Sequence, residues 1–171
     1  MAGGHPPSPH PSIPFLTSVL HTSAVQRSLD SLRRLLAEEI PLADRLGVTV
    51  AAAGEGWVVL AAPLEFNRNH EGTAFGGSLN AVATLAGWSA VWWSLEEAAV
   101  SGVVVIQDSA VRFRRPVTGD FQATASLDPD RVARLIEAVA RKGKGRITVD
   151  VTVGDADGPA VEFAGRYVVT R

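Results

Sequence analysis

The sequence predicts an α+β domain in which a curled antiparallel sheet wraps around one long central helix. The segment from Gly72 to Leu95 carries no charged side chain, and a helix that is apolar almost all round is stable in water only when other elements enclose it. On both sides of this segment, short runs of alternating apolar and polar residues predict strands. Most of the links between these strands are short, as antiparallel pairing allows.

Length and composition narrow the classes of protein to which the chain can belong. Its 171 residues, 46% of them hydrophobic, suffice for one domain with a substantial core. The formal net charge of −2 gives no electrostatic footprint for nucleic-acid binding. The chain has no cysteine, which excludes disulfides, thiolate metal sites and a cysteine nucleophile, and we predict no metal site.

A polar tail and a long apolar segment define the extent and the type of the domain. Residues 1–14 are rich in Pro, Gly, Ser and His and predict a disordered tail, so that residues 15–171 form the single domain. The apolar run after the tail has no preceding Lys or Arg, unlike a signal peptide. The uncharged segment contains too many small and polar residues for a membrane span. We therefore expect a cytoplasmic protein.

The first half of the domain predicts a helix, a hairpin and the central helix. Leucines at helical spacing mark an amphipathic helix over residues 28–40, and Pro41 follows it. Residues 48–51 and 57–62 predict two strands joined by the turn Gly54-Glu55-Gly56. Residues 76–99 predict the long helix, which Gly102 should end.

The second half predicts four strands and an inserted helix. Residues 103–114 and 121–127 should form a second hairpin across the turn Thr118-Gly119-Asp120. Asp128-Pro129 supplies an N-cap and a first-turn proline for a helix that ends near Gly143. Alternation in residues 147–153, and the apolar residues Val161, Phe163, Tyr167 and Val169, predict two further strands around the turn Gly158-Pro159.

The segment from Asn69 to Gly77 is the motif that indicates chemistry. It ends a loop and opens the long helix, where the first-turn N–H groups have no intrahelical acceptor. Gly76 and Gly77 let a ligand approach the backbone closely. Such a helix start could hold the oxygen of a polarised carbonyl, as an oxyanion hole does. The alternative is that the glycine pair only permits close packing of the helix on the sheet.

This motif resembles those of a known group of enzymes. The pattern Asn-x-x-Gly-x-x-His-Gly-Gly is typical of hotdog-fold acyl-CoA thioesterases of the phenylacetate type, and the chain is similar to it at Asn69, Gly72, Gly76 and Gly77, with Phe75 in place of the histidine. The chain resembles still more closely the thioesterase-domain family called YiiD C-terminal-like, from about residue 28 to the C-terminus. The stretches that carry this resemblance are Ile40-Pro41-Leu42, Asn67–Leu79, Gly87-Trp88, Asp108-Ser109 and Arg115–Asp120.

The resemblance implies a hotdog fold and a thioester substrate carried by coenzyme A or by an acyl-carrier protein. No separate cofactor is implied, because coenzyme A is part of the substrate. It also implies a homodimer or larger homo-oligomer with sites at the subunit interface, and a curled sheet has free edges for a partner to cover. In the phenylacetate-type enzymes a carboxylate on the central helix attacks the thioester or activates water, and the corresponding residue here is Thr84.

Glu71 and Asp108 are the candidates for the missing base. Glu71 adjoins the helix start, although a solvated or capping role is open to it as well. Strand alternation places Asp108 and Arg112 on the same face of their strand. Asp108 either forms a structural pair with Arg112 or reaches the Gly76 loop of a partner subunit across a dimer interface. If Phe113 faces the core, the same alternation directs Gln107 and Ser109 towards the helix.

The remaining candidates would bind substrate. Asn69 could orient water or the thioester, or it could form a side-chain turn bond, and His70 is a secondary candidate for a base. The basic groups of residues 112–115 and 141–146 could bind the phosphates of coenzyme A, or could be solvated. Trp88, Trp92 and Trp93 either line an acyl tunnel or belong to the core. The predicted substrate-binding residues are Asn67, Phe75, Ser78, Thr84, Gln107, Ser109, Arg114 and Arg115.

Three functions remain open at this point. The first is hydrolysis of an acyl thioester. The second is a non-catalytic module that binds or senses acyl-CoA, because Thr84 and Phe75 stand where an acid and a histidine are expected. The third is a hotdog hydratase or dehydratase, whose chemistry needs a histidine and carboxylate pair that this helix start does not supply in the expected pattern.

Overall fold

The computed structural model describes residues 15–171, so the predicted disordered tail of residues 1–14 lies outside the described residues. The strands and the long helices follow one another in the predicted order. The first helix begins at Phe15 and not near residue 28, and the short helix Pro41–Arg45 was not predicted. The elements are α1 (Phe15–Glu38), α2 (Pro41–Arg45), β1 (Thr49–Gly54), β2 (Trp57–Ala62), α3 (Gly76–Glu97), β3 (Val103–Phe113), β4 (Phe121–Ser126), α4 (Pro129–Lys142), β5 (Lys144–Asp155) and β6 (Gly158–Thr170).

The six strands form one sheet in the order β1-β2-β4-β5-β6-β3, and every neighbouring pair is antiparallel. Helix α3 packs against five of the six strands, β2 to β6. Its buried side chains and the inward-facing residues of the strands form one core. The predicted hotdog architecture, a curled antiparallel sheet around a long helix, is therefore confirmed. Within residues 15–171, no helix has the length and hydropathy that a membrane crossing requires.

Local signals fixed α4 as predicted. The side chain of Asp128 accepts a hydrogen bond from the backbone N–H of Arg131 at 3.0 Å, and Pro129 occupies the first turn. Gly143 ends the helix in the left-handed conformation, with a φ of 69°, which glycine adopts without steric cost. These caps place α4 between β4 and β5.

The predicted second hairpin is wrong. β3 pairs with β6 at the edge of the sheet, and β4 lies between β2 and β5. The connection between β3 and β4 crosses the end of the sheet because it is anchored there. Val117 is fully buried and its carbonyl accepts a hydrogen bond from the N–H of Ala74 at 2.8 Å.

The predicted end of the central helix is also wrong. α3 ends at Glu97, and Ala99 adopts the left-handed conformation, with a φ of 52°. Gly102 serves packing instead, because a Cβ atom there would lie 2.7 Å from a methyl group of Val169. A glycine near a helix end can thus be required by a neighbouring strand and not by the helix.

The depth of α3 in the sheet is set by Tyr167. This side chain is fully buried, and its hydroxyl donates to the backbone carbonyl of Thr84 at 2.8 Å. Burial raises the pKa of Tyr167 well above its usual range, so the phenol stays a donor. A Cβ atom on Gly87 would lie 2.9 Å from the ring carbon Cζ. Gly87 is therefore required for the ring to reach the helix backbone.

Candidate active site

The loop before α3 is organised by Asn69. Its side-chain oxygen accepts hydrogen bonds from the N–H groups of Glu71 and Thr73, at 2.9 and 3.1 Å. Its amide nitrogen donates to the hydroxyl of Thr73 at 3.0 Å. Gly72 takes a φ of 80°, which completes the turn. The turn-bond alternative for Asn69 is therefore present, and a direct role in orienting water or the thioester stays a prediction.

Asn67 anchors the same loop from inside the protein. Only 1% of its surface is exposed, and its amide nitrogen donates to the carbonyls of Leu46 and Pro63 at 2.8 and 2.7 Å. Its own carbonyl accepts from the N–H of Phe75 at 2.7 Å. The observed contacts of Asn67 thus position the start of α3, and they do not bring its side chain to the surface.

The start of α3 leaves donors unused. Phe75 is the N-cap residue in an extended conformation, and no side chain caps the helix. Among the described groups, no acceptor takes the N–H groups of Gly76, Gly77 and Ser78. The exposed ring of Phe75 folds over Gly77, where a Cβ atom would lie 2.9 Å from the ring carbon Cδ1. The free donors therefore sit beside an exposed aromatic ring.

One stripe of α3 is left uncovered by the sheet. It recurs at helical spacing, and most of α3 outside it is buried. Trp88 and Trp92 stack within it, with ring centroids 6.5 Å apart and planes at 18°, whereas Trp93 is fully buried in the core. We call this surface the helix stripe, and it consists of Gly77, Asn80, Ala81, Thr84, Trp88 and Trp92.

Strand β3 runs alongside the helix stripe and contacts α3 near both ends of the stripe. At one end the ring of Phe113 faces Gly76, at 3.4 Å from the position of a Cβ atom. At the other end the indole N–H of Trp88 donates to the carbonyl of Val104 at 2.9 Å. Ser109 and Val111 lie between these contacts, on the same face of β3 as Phe113. We call the surface between the helix stripe and this face of β3 the α3–β3 groove.

The predicted alternation of β3 holds from Ser109 onwards but is reversed in the first half of the strand. Val104 and Ile106 pair there with the buried Val169 and Tyr167 and so face the core, where the alternation had placed Val103, Val105 and Gln107. A bulge between Ile106 and Asp108 inserts Gln107 into the strand, so Gln107 no longer shares a face with Ser109. Its side-chain oxygen instead accepts from Arg146 at 3.2 Å. Ser109 keeps the expected orientation towards α3.

Asp108 has an ion pair, as one of its two alternatives expected, but the partner is not Arg112. Asp108 pairs across the sheet with Arg166, with 3.6 Å between the guanidinium nitrogen and the carboxylate oxygen. Both side chains are about half exposed and lie on the face of the sheet that points away from α3. Within one chain Asp108 is therefore not at the start of α3, and its role as a base depends on a partner subunit.

Glu71 lies in the loop that leads into α3. Its carboxylate is 3.1 Å from the imidazole Nε2 of His70, and 73% of the Glu71 side chain is exposed. Ser78, by contrast, is nearly buried in the first turn. Of the two candidate bases, Glu71 is thus the one that belongs to the same loop as the free helix donors.

Asn80 is a site residue that the sequence interpretation missed. Its side-chain oxygen is buried and has no hydrogen-bond partner among the described residues. Its backbone carbonyl accepts the hydroxyl hydrogen of Thr84 at 2.9 Å. A buried amide oxygen without a partner costs free energy, and the same holds for the side-chain oxygen of Asn67, the hydroxyl of Ser89 and the indole nitrogen of Trp93. Of these four residues only Asn80 belongs to the helix stripe. The only available signal was the helical spacing of Gly76, Asn80 and Thr84.

Arg114 and Arg115, predicted to bind substrate, have protein partners. Arg114 forms a two-pronged pair with Glu162, with nitrogen-to-oxygen distances of 3.2 and 2.8 Å, which lowers the pKa of Glu162. Arg115 donates to the carboxylate of Asp155 and to the carbonyls of Pro116, Gly158 and Pro159. Contact of either guanidinium group with substrate stays a prediction.

Among residues 15–171, no strand pairs with the outer edge of β3. β3 is the last strand of the sheet, and its exposed side chains include Val103 at 63% and Val105 at 50%. Phe75 and Phe113 add apolar surface beside it. Long apolar edge strands are normally covered in the native assembly.

Comparison with known proteins gives a family and a set of structural relatives. The family described as "Putative thioesterase (yiiD_Cterm)" matches residues 29–171. A protein of unknown function from Chlorobaculum tepidum is 28% identical, with a TM-score of 0.80 over 85% of this chain and 95% of that one. A protein from Pseudomonas aeruginosa described as a "probable thioesterase" is 27% identical, with a TM-score of 0.72 over 82% of this chain and 94% of that one. A protein from Shewanella oneidensis described as a "putative thioesterase" is 24% identical, with a TM-score of 0.77 over 85% of this chain and 99% of that one.

Proposed function

Since the chain belongs to the thioesterase family described as yiiD_Cterm, we propose that it hydrolyses an acyl thioester of coenzyme A to the free acid and the thiol. The observation that carries this proposal is the start of α3, where the N–H groups of Gly76 and Gly77 have no acceptor among the described groups. Preorganised N–H donors stabilise the negative charge that develops on a carbonyl oxygen under attack. Coenzyme A is preferred to an acyl-carrier protein for reasons of charge given in the next subsection.

In this proposal, the thioester and its acyl chain lie in the α3–β3 groove. The carbonyl oxygen lies at Gly76 and Gly77, and the acyl chain follows the helix stripe past Ala81 towards Trp88. Asn80 lies one helical turn beyond Gly76 and Thr84 two turns beyond it, about 12 Å along the helix axis. Asn80 is therefore the polar side chain of α3 nearer to the reacting centre, and Ser109 lies on the face of β3 that points towards α3. The stacked tryptophans suit an apolar or aromatic acyl group.

Glu71 acts as the general base. Its carboxylate accepts a proton from a water molecule, the water oxygen bonds to the carbonyl carbon, and the bond from carbon to sulfur then breaks. The thiolate takes up the proton, so that water is consumed and acid and thiol are formed. His70, at 3.1 Å from Glu71, holds the carboxylate in place. Asp108 of the partner subunit is the alternative base.

A homodimer completes the site in this proposal. The unpaired edge of β3 and the exposed Val103 and Val105 support an isologous contact through this strand. Such a contact would cover the open side of the α3–β3 groove and exclude water from the acyl chain.

A second candidate function is binding of acyl-CoA without turnover. It is favoured by Thr84, which stands where related enzymes carry a carboxylate and whose hydroxyl hydrogen is donated to the backbone of Asn80. A threonine without a partnered base is a poor nucleophile.

We expect the purified protein to release free thiol from at least one class of acyl-CoA. The assay uses short, long and aromatic acyl-CoA esters, with binding followed in parallel by thermal shift. Because the stacked tryptophans of the helix stripe are apolar, the largest rates of thiol release are expected for long-chain or aromatic esters. Binding of a class of ester without thiol release from any of them would reject hydrolysis and favour the binding function.

A further inference from the structure

We propose that the cleft between α4 and β5 binds the phosphate groups of the coenzyme A nucleotide. β4 ends opposite Asp150, so the edge of β5 before that residue is flanked by α4 and not by a strand. An open groove of about 430 Å³ lies at this junction. We call it the α4–β5 groove, and it is lined by Arg131, Arg134, Leu135, Arg146, Ile147 and Thr148.

The charged residues that line the α4–β5 groove are all basic. Three of its six lining residues are arginines and none is acidic. Among the described residues, no ion pair within 4.0 Å engages Arg131, Arg134 or Arg146. By contrast, a carboxylate pairs with each of Arg114, Arg115, Arg141 and Arg166. Arg112 of β3 is like the groove arginines in having no ion pair within 4.0 Å among the described residues.

The three arginines that line the groove come from two elements. Arg131 and Arg134 are one turn apart on α4 and therefore project from the same side of the helix, and Arg146 comes from β5. Only the Nε of Arg146 is engaged, by the side-chain oxygen of Gln107 at 3.2 Å, which leaves its terminal nitrogens as donors. Thr148 adds a hydroxyl. Such a set of planar donors matches the oxygens of a phosphate group.

The same hydrogen bond connects this groove to β3. Gln107 is the bulged residue of β3, the strand that borders the α3–β3 groove. The choice of coenzyme A rests on the proposed function, and a concave groove of this size suits the head of a small molecule better than the convex surface of a carrier protein.

Calorimetric titration of the intact protein tests the proposal without requiring turnover. The ligands are coenzyme A, adenosine 3′,5′-bisphosphate as its nucleotide portion, and pantetheine as its uncharged portion. The variants are Arg134→Ala combined with Arg146→Ala, and Arg141→Ala as a matched control, because Arg141 lies on the same helix but pairs with Glu137. We expect the double variant to bind coenzyme A and the bisphosphate about 100-fold more weakly, and the control to bind like the original protein.

Three results would overturn the proposal. They are equal binding of coenzyme A by the double variant and the control, binding of pantetheine as tightly as coenzyme A, and binding of an acidic carrier protein in preference to coenzyme A. The charge-preserving Arg146→Lys variant, which should lose less affinity than Arg146→Ala, serves if the double variant is unfolded. Weakened nucleotide binding without thiol release would reject hydrolysis and retain this site. Thiol release with an unchanged KM in the double variant would retain hydrolysis and reject this site.

Discussion

Replacing Glu71 by Gln is expected to lower kcat for acyl-CoA hydrolysis by about 10²- to 10⁴-fold, the range that a general base contributes. Glutamine keeps the shape of the side chain and its surface position but cannot accept the proton from water. The side chain of Glu71 is largely exposed and contacts His70, so the fold and the affinity for substrate should be unchanged. Thiol release at saturating substrate measures kcat, and a titration with product measures binding.

The matched control is Asp108→Asn, which removes the other candidate carboxylate. Asp108 pairs with Arg166 on the face of the sheet away from α3, so this change should leave kcat near that of the original protein. The reverse outcome, a slow Asp108→Asn variant and an active Glu71→Gln variant, would assign the base to the partner subunit. Full activity in both variants would reject the proposed scheme.

Asp155→Ala is expected to cause the largest loss of stability, roughly 3 kcal/mol of unfolding free energy. Only 3% of the Asp155 side chain is exposed, and its oxygens accept hydrogen bonds from Arg115 and from the N–H groups of Thr118 and Asp157. Alanine would leave these donors without a partner. For a domain of this size the loss corresponds to a fall in Tm of about 6 to 12 °C, which differential scanning calorimetry measures.

The effect of Asp155 depends on pH in a defined direction. The hydrogen bond from Arg115 holds the pKa of this carboxyl well below its usual range, with help from the backbone of Thr118 and Asp157. A depressed folded-state pKa stabilises the protein above the unfolded value of about 3.9, and the contribution is lost as the pH falls towards the folded value. The difference in stability between the original protein and Asp155→Ala should therefore be complete at neutral pH and shrink below about pH 4.

A control for this prediction is Glu162→Ala. Glu162 also pairs with an arginine, Arg114, but both side chains are more than half exposed, and exposed pairs contribute little. The Tm of this variant should stay close to that of the original protein. An equal fall in Tm for both variants would mean that burial is not what distinguishes the two pairs.

The parts of the fold with local signals could be predicted from the sequence. The inserted helix α4 begins and ends where its capping residues, Asp128 and Gly143, indicate. β5 follows from strict alternation over a single face, and β6 from an alternation that consecutive buried residues interrupt near both of its ends. These features depend on residues that are near one another in the chain, so neighbouring sequence is sufficient to define them.

The pairing of β3 could not be predicted in the same way. A short link between two strands normally favours a hairpin, but Arg115 and Val117 tie this link to the turn between β5 and β6 and to the loop before α3. Those partners are distant in the sequence. The bulge at Gln107 likewise depends on register with β6, and alternation alone could not reveal it.

The candidate site was predicted in its loop and only partly on its helix. Gly76 and Gly77 were identified from their motif and lie at a helix start with free donors. Asn80 was missed because its importance lies in a buried oxygen without a partner, a property of packing. Asn69 was expected to act on substrate, but its observed bonds shape the loop, a role that its position in the motif did not distinguish.

The most direct test of the central claim is a crystal structure of the protein with an acyl-CoA analogue in which a methylene group replaces the thioester sulfur. The analogue keeps the carbonyl but cannot be hydrolysed at that bond. We predict that the carbonyl oxygen lies about 3 Å from the backbone nitrogen of Gly76 or Gly77, with the acyl chain along the helix stripe. A carbonyl bound away from the start of α3 would contradict the proposed active site.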